Sequence, residues 1–136
     1  MGQRVDNWPT KLSQLIESNR HRRFRWGQFD CCIWAAMCVD VIRDDTMVDR
    51  IKSEYSNKTE ALEFLGRFGS TEDAITEYLG EPQHINMTSR GDVVVIDYER
   101  DGYHAAGIFD GQDVIATGPK GLIRAPRDHI IKSWRV

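Results

Sequence analysis

From Cys31 to Val39 every side chain is apolar or a thiol, and Asp40 alone interrupts the run before Val41 and Ile42. Helical spacing puts Cys31, Trp34, Ala35, Cys38 and Ile42 on one face and Ile33, Met37 and Val41 on another, so a helix here is apolar on nearly every side. Such a helix belongs in a core or a membrane. The run falls well short of the roughly 18 apolar residues that a membrane span requires, and polar sequence flanks it. It is therefore a core helix, and the rest of the chain has to cover it. Asp30, directly before it, can accept from the free amides of the first turn, which predicts a helix start at Cys31.

The flanking sequence supplies the cover in two kinds. Trp8-Pro9-Thr10 opens a short amphipathic helix ending near Asn19, with Pro9 at the first helical position and Leu12, Leu15 and Ile16 on one face. Thr59 to Phe68 returns to helical periodicity and stops at Gly69. Ser70 to Gly80 reads as a further helix, capped by Ser70 with Asp73 in the capping-box position. Lys52 to Lys58 and Glu81 to Arg90 read as connectors. After Gly91 the period becomes strand-like: Asp92 to Tyr98, an Asp101-Gly102 turn, Tyr103 to Phe109, an Asp110-Gly111 turn, Asp113 to Thr117, then Leu122 to Arg124 and Ile130 to Val136. Helices first and strands second predict an α+β fold, one domain over 1–136, with the central helix packed on a C-terminal antiparallel meander.

Composition limits the partners. A net charge of -3 argues against a general nucleic-acid coat, which needs excess cations to displace phosphate counterions. The one basic cluster, Arg20-His21-Arg22-Arg23-Phe24-Arg25-Trp26, reads either as a phosphate patch or, preferably, as solvated cations at a helix C-terminus. Asp44, Asp45 and Asp49 lack the Gly and terminal Glu of a calcium loop and read as a solvated connector. The sequence shows no apolar leader and no span. Three cysteines, two of them adjacent, make no disulfide framework, and they lack the paired spacing of a zinc site. No metal and no cofactor is expected.

Cysteine chemistry needs a thiolate, and a thiolate needs electrostatic help. A helix N-terminus directs free amides at the sulfur, and an imidazole can take the proton. Cys31 meets the first condition. Among four histidines, His21, His84 and His129 lie in polar segments. His104 begins a strand and is followed by Ala105, Ala106 and Gly107, small enough to let another element approach. Cys31 and His104 are the candidate catalytic pair, and Cys32 and Cys38 read as buried apolar residues.

Trp26-Gly27, Phe29-Asp30-Cys31, Gly91-Asp92-Val93-Val94 and His104-Ala105-Ala106-Gly107-Ile108-Phe109, in that order, resemble the NlpC/P60 group of papain-like cysteine peptidases. The likeness covers most of the chain. It is greatest to short NlpC/P60-like proteins encoded among bacteriophage tail genes, which share the Asp-Cys-Cys and Trp-Ala-Ala pattern and an ending like Ser133-Trp134-Arg135-Val136. The resemblance implies a papain-like fold, Cys31 as nucleophile, His104 as general base and later acid, and the Cys31 amide as an oxyanion donor. It also implies an acyl-enzyme route without metal or organic cofactor, acting on peptidoglycan stem-peptide amides, commonly the bond after D-γ-glutamate. A place in the host cytoplasm or the virion tail, with tail-tip proteins as partners, follows from the same likeness.

Three positions depart from the pattern. Cys32-Ile33 replaces Ser-Gly, Phe24 stands where many members have a substrate-facing Tyr, and the polar residue that orients the histidine from the next strand falls at Ala116. Thr117 is adjacent, and by strand alternation it is expected to point away unless the hairpin shifts the register by one. A catalytically weak scaffold with a structural role in tail-tip assembly is the alternative these departures leave open.

Overall fold

The computed structural model describes residues 3–136. Among them, five α-helices come first: α1 (Trp8–Ser18), α2 (Cys31–Arg43), α3 (Met47–Lys52), α4 (Lys58–Phe68) and α5 (Thr71–Leu79). Five strands follow: β1 (Val93–Arg100), β2 (Tyr103–Phe109), β3 (Asp113–Ala116), β4 (Ile123–Pro126) and β5 (Ile130–Trp134). The class is α+β, as the change of period at Gly91 predicts.

The caps behave as their chemistry dictates. The Asp30 carboxylate accepts from the Ile33 amide at the start of α2, and the Ser70 hydroxyl from the Asp73 amide at the start of α5. Helix α3 is a departure, since its residues were expected to form part of a solvated connector. Its free amides at Met47 and Val48 donate to the Asp40 carboxylate at 2.7 and 3.0 Å. The capping group comes from the preceding helix, so no local signal marks this start.

The sheet runs β4-β3-β2-β1-β5 with every pair antiparallel. β1 to β4 form the expected meander, and β5 corrects it. After a 3-10 turn at Arg127–His129 the chain pairs with β1, at the opposite edge from β4. That position carries Trp134 into the helix-side core, fully buried, where its indole N–H donates to the Thr76 hydroxyl of α5 at 3.2 Å.

β1 lacks strand alternation because both its faces are covered. Val93 and Val95 join Ala106, Ile108 and Ile115 in the core against α2, whereas Val94 and Ile96 join Phe109, Val114, Ala125 and Ile130 in a second cluster. That second cluster draws on all five strands and no helix, so the sheet curls around it. At the head of β1, the buried Asp92 carboxylate accepts from the Arg4 guanidinium at 2.9 Å, Gln83 at 2.8 Å, the Ser89 amide at 3.0 Å and the Val136 amide at 3.2 Å. One carboxylate thus ties the segment before α1 and the segment after β5 to the sheet. No helix among the described residues is long and apolar enough to cross a membrane.

Candidate active site

The turn before α2 sets the position of Cys31. Arg25 and Phe29 exchange two backbone hydrogen bonds, of 3.1 and 2.8 Å, and so close a tight hairpin around Trp26, Gly27 and Gln28. Asp30 locks this hairpin to the helix. Its Oδ2 accepts from the Gly27 amide at 3.0 Å, and its Oδ1 from the Ile33 amide and the Tyr55 hydroxyl, each at 3.0 Å. Tyr55 lies in a stretch that reads as polar loop, yet it is buried and completes this network.

Burial pushes the Asp30 carboxyl above its ordinary value, and the amides of Ile33 and Gly27 and the Tyr55 hydroxyl pull it part of the way back. The folded state therefore holds this proton more tightly than the unfolded chain does, and the contribution of Asp30 to stability rises as pH falls through its folded value. The difference in urea midpoint between wild type and Asp30→Asn is expected to shift in favour of wild type on going from neutral to mildly acidic pH. Asp30→Ala removes a cap worth about 1 kcal/mol and strands buried donors at about 1–3 kcal/mol each. A loss of about 3 kcal/mol or more in urea denaturation is the expected result.

Cys31 is buried at the first turn of α2. The neighbouring Cys32 thiol, followed by the amides of Ala106 and Cys32, draws the Cys31 thiol below its ordinary value, against burial and the Asp30 charge. Cys32 is pushed well above its own, first by Cys31 and then by burial, so it stays a thiol. Its side chain is half-buried against an apolar cavity of about 30 Å³ between α2 and α5. Cys32→Ala is expected to raise the pH midpoint of Cys31 alkylation by iodoacetamide, read by mass spectrometry of the Cys31 peptide.

His104 stands on β2, two residues before Ala106 and on the same strand face. It lines one small cavity with Cys31, together with Phe24, Trp26, Thr71, Tyr103 and Thr117. The structure therefore brings the two expected residues to one site, although no hydrogen bond joins them directly among the described residues. The ring Nδ1 lies 3.0 Å from Glu72 Oε2, and the Thr71 hydroxyl donates to the His104 carbonyl at 2.8 Å. Both partners come from the first turn of α5, 32 and 33 residues from His104 in sequence.

The next strand is not as expected. Gly107 pairs with Ala116 and Ile108 with Ile115. Ile115 shares the helix-side core with Ile108, so by alternation Thr117 faces the site and Ala116 does not. Thr117 lines the cavity, but the group against the imidazole is Glu72.

The other histidines stay apart. His21 is exposed, His84 Nδ1 accepts from the Asn86 amide at 3.1 Å, and His129 Nδ1 lies 2.9 Å from Asp97. The basic cluster is not in the last turn of α1, which ends at Ser18. It runs beside the β3–β4 loop, held by Phe24 N–H to Gly118 O at 2.9 Å and Leu122 N–H to Arg20 O at 3.0 Å. Arg22 stacks over Phe29, 4.3 Å from the ring centroid.

The tip of the β1–β2 hairpin overhangs the cavity. Arg100 lies 4.0 Å from the Phe24 ring centroid, and Asp101 accepts from the Trp26 indole and from Lys58, each at 3.3 Å. The room left inside is about 20 Å³. Among the described residues, no three His, Cys, Asp or Glu side chains gather in a way that could hold a metal ion.

No curated protein matches the chain. A family profile described as a domain of unknown function, DUF6950, matches residues 3–136, and by that match over nearly its whole length the chain belongs to the DUF6950 family.

Proposed function

We propose that this chain is a papain-like cysteine peptidase or amidase of the NlpC/P60 kind, acting on peptidoglycan stem-peptide amides in the setting of a phage tail. The observation that carries the reading is Cys31, its thiol drawn down at the start of α2, lining one cavity with His104 of β2. A Cys on the central helix and a His on the adjoining strand are the two parts that thiol hydrolysis of an amide needs.

In this reading the Cys31 proton passes to His104 and the thiolate adds to the amide carbonyl carbon, forming a C–S bond. The free backbone amides at the start of α2, that of Cys31 included, face the developing oxyanion. His104 then gives its proton to the departing amine as the C–N bond breaks. Water, deprotonated by His104, cleaves the thioester and restores the thiol. The test is incubation of the purified protein with muropeptides. A new amine released by wild type and not by Cys31→Ala supports the reading; no new amine sinks it.

A second reading, a scaffold for tail-tip assembly, is favoured by one observation. With about 20 Å³ of room under the Arg100–Asp101 tip, the cavity as it stands is too small to take a stem peptide. The enzyme reading requires that tip to part from Phe24 and Trp26 when substrate enters, and the scaffold reading does not. The same incubation separates them.

A further inference from the structure

We propose that Glu72 is the positioning residue for His104, fixing the imidazole with its proton on Nδ1 so that Nε2 is the nitrogen that takes the Cys31 proton. This rests on the cysteine-peptidase reading above and identifies the part that the sequence leaves without an owner.

Four observations carry it. Glu72 Oε2 lies 3.0 Å from His104 Nδ1. A carboxylate accepts hydrogen bonds, so the geometry assigns Nδ1 as the donor, and in the neutral ring the lone pair then belongs to Nε2. The preceding residue, Thr71, donates its hydroxyl to the His104 carbonyl at 2.8 Å. Consecutive residues of α5 therefore hold the ring and the backbone of His104 together, which sets the ring's place relative to the helix and not only its rotamer.

The third observation is the other carboxylate oxygen. Glu72 Oε1 is buried without a hydrogen-bond partner, so the imidazole N–H is the carboxylate's one hydrogen-bond donor among the described residues. A carboxylate in that state gains most when the ring it faces becomes charged, which is the state His104 passes through after taking the thiol proton. The first turn of α5 also favours a negative side chain through the helix dipole. The fourth concerns the strand position where an orienting group was expected. Ala116 is apolar and turned away, and Thr117 lines the cavity without a hydrogen bond to the ring among the described residues. Glu72 occupies the role from the helix layer instead.

The experiment reads the tautomer directly. Uniformly 15N-labelled protein is examined by long-range 1H–15N correlation at about pH 8.5, above the ordinary imidazole value, with His104→Gln used to assign the ring. Wild type is expected to show the Nδ1–H pattern. Glu72→Gln, whose amide oxygen still accepts, is expected to keep it, and Glu72→Ala to give the Nε2–H pattern that free imidazole prefers. Iodoacetamide alkylation of Cys31 is expected to slow by about tenfold or more in Glu72→Ala, with Glu72→Gln in between.

An Nε2–H pattern in wild type overturns the proposal, whether or not the alanine variant folds. So does a Glu72→Ala protein that folds and alkylates like wild type. The tautomer requires no substrate. An inactive protein with the Nδ1–H pattern in place counts against the peptidase reading alone, and an active one with the Nε2–H pattern counts against Glu72 alone.

Discussion

Gly27→Ala is expected to lose about 3 kcal/mol or more of stability, a large share of the about 5–15 kcal/mol that small domains hold in all. Two costs add. Gly27 has φ +78°, a left-handed backbone that costs an L-residue about 1–2 kcal/mol. A Cβ there would also stand 2.3 Å from the carbonyl carbon and oxygen of Ser56. Those are backbone atoms, which cannot rotate out of the way, and overpacking of this kind costs about 1–3 kcal/mol. Gly102 is the control. Its φ is +86°, but a Cβ there meets nothing within 4 Å, so Gly102→Ala is expected to cost only the backbone part, about 1–2 kcal/mol. Thermal melts followed by circular dichroism compare the two. Equal shifts would mean that the close approach of Gly27 to Ser56 contributes nothing, and that the seating of the Trp26 turn, hence of Asp30 and Cys31, has another cause.

The second large effect is chemical and belongs to the peptidase reading proposed above. In that reading Cys31→Ala is expected to lose hydrolysis of a stem peptide to background, and His104→Ala to lose about two to four orders of magnitude in kcat/KM, the usual worth of a general acid-base group. Cys31→Ala is expected to melt close to wild type, and His104→Ala, which leaves the Glu72 carboxylate without its one donor among the described residues, to lose about 1–3 kcal/mol. Cys31→Ala removes one sulfur at the rim of the core, and His104 is half-buried at the site's edge. Cys38→Ala is the opposite case. Cys38 is fully buried on α2, and burial alone pushes its thiol well above the ordinary value. Its loss is expected to lower stability and leave the rate per folded molecule unchanged.

Much of this site is legible in the sequence because its signals are local. Asp30 before an apolar run marks a capped helix start, and that start fixes Cys31. His104 followed by three small residues marks a strand that another element can approach, and α2 and β2 do meet across Ala106 and Ile108. What sequence misses depends on long-range packing. Glu72 reads as an ordinary acidic residue in the first turn of α5, which it also is. Only the laying of α5 against β2 turns its carboxylate to the imidazole. Tyr55 sits between Glu54 and Ser56 in a polar stretch, and nothing local says that its hydroxyl reaches Asp30. Alternation counted from Ala116 as the site-facing position turns Thr117 away, and only the pairing of β2 with β3 decides the register. The pairing Ile108↔Ile115 shows that the count begins from Ile115. Chain order alone puts β5 last in a meander, whereas burial of Trp134 under α5 takes it to the other edge.

If Cys31 carries the acyl group in an amide-cleaving reaction, as proposed, mass spectrometry of protein quenched in acid during turnover of a stem peptide containing D-γ-glutamate should catch it there. The expected result is an added acyl mass on the Cys31 peptide, removed by hydroxylamine as a thioester is, and absent in Cys31→Ala. Release of the amine by Cys31→Ala at the wild-type rate, or an acyl group found on Cys32 or Cys38 instead, would contradict it.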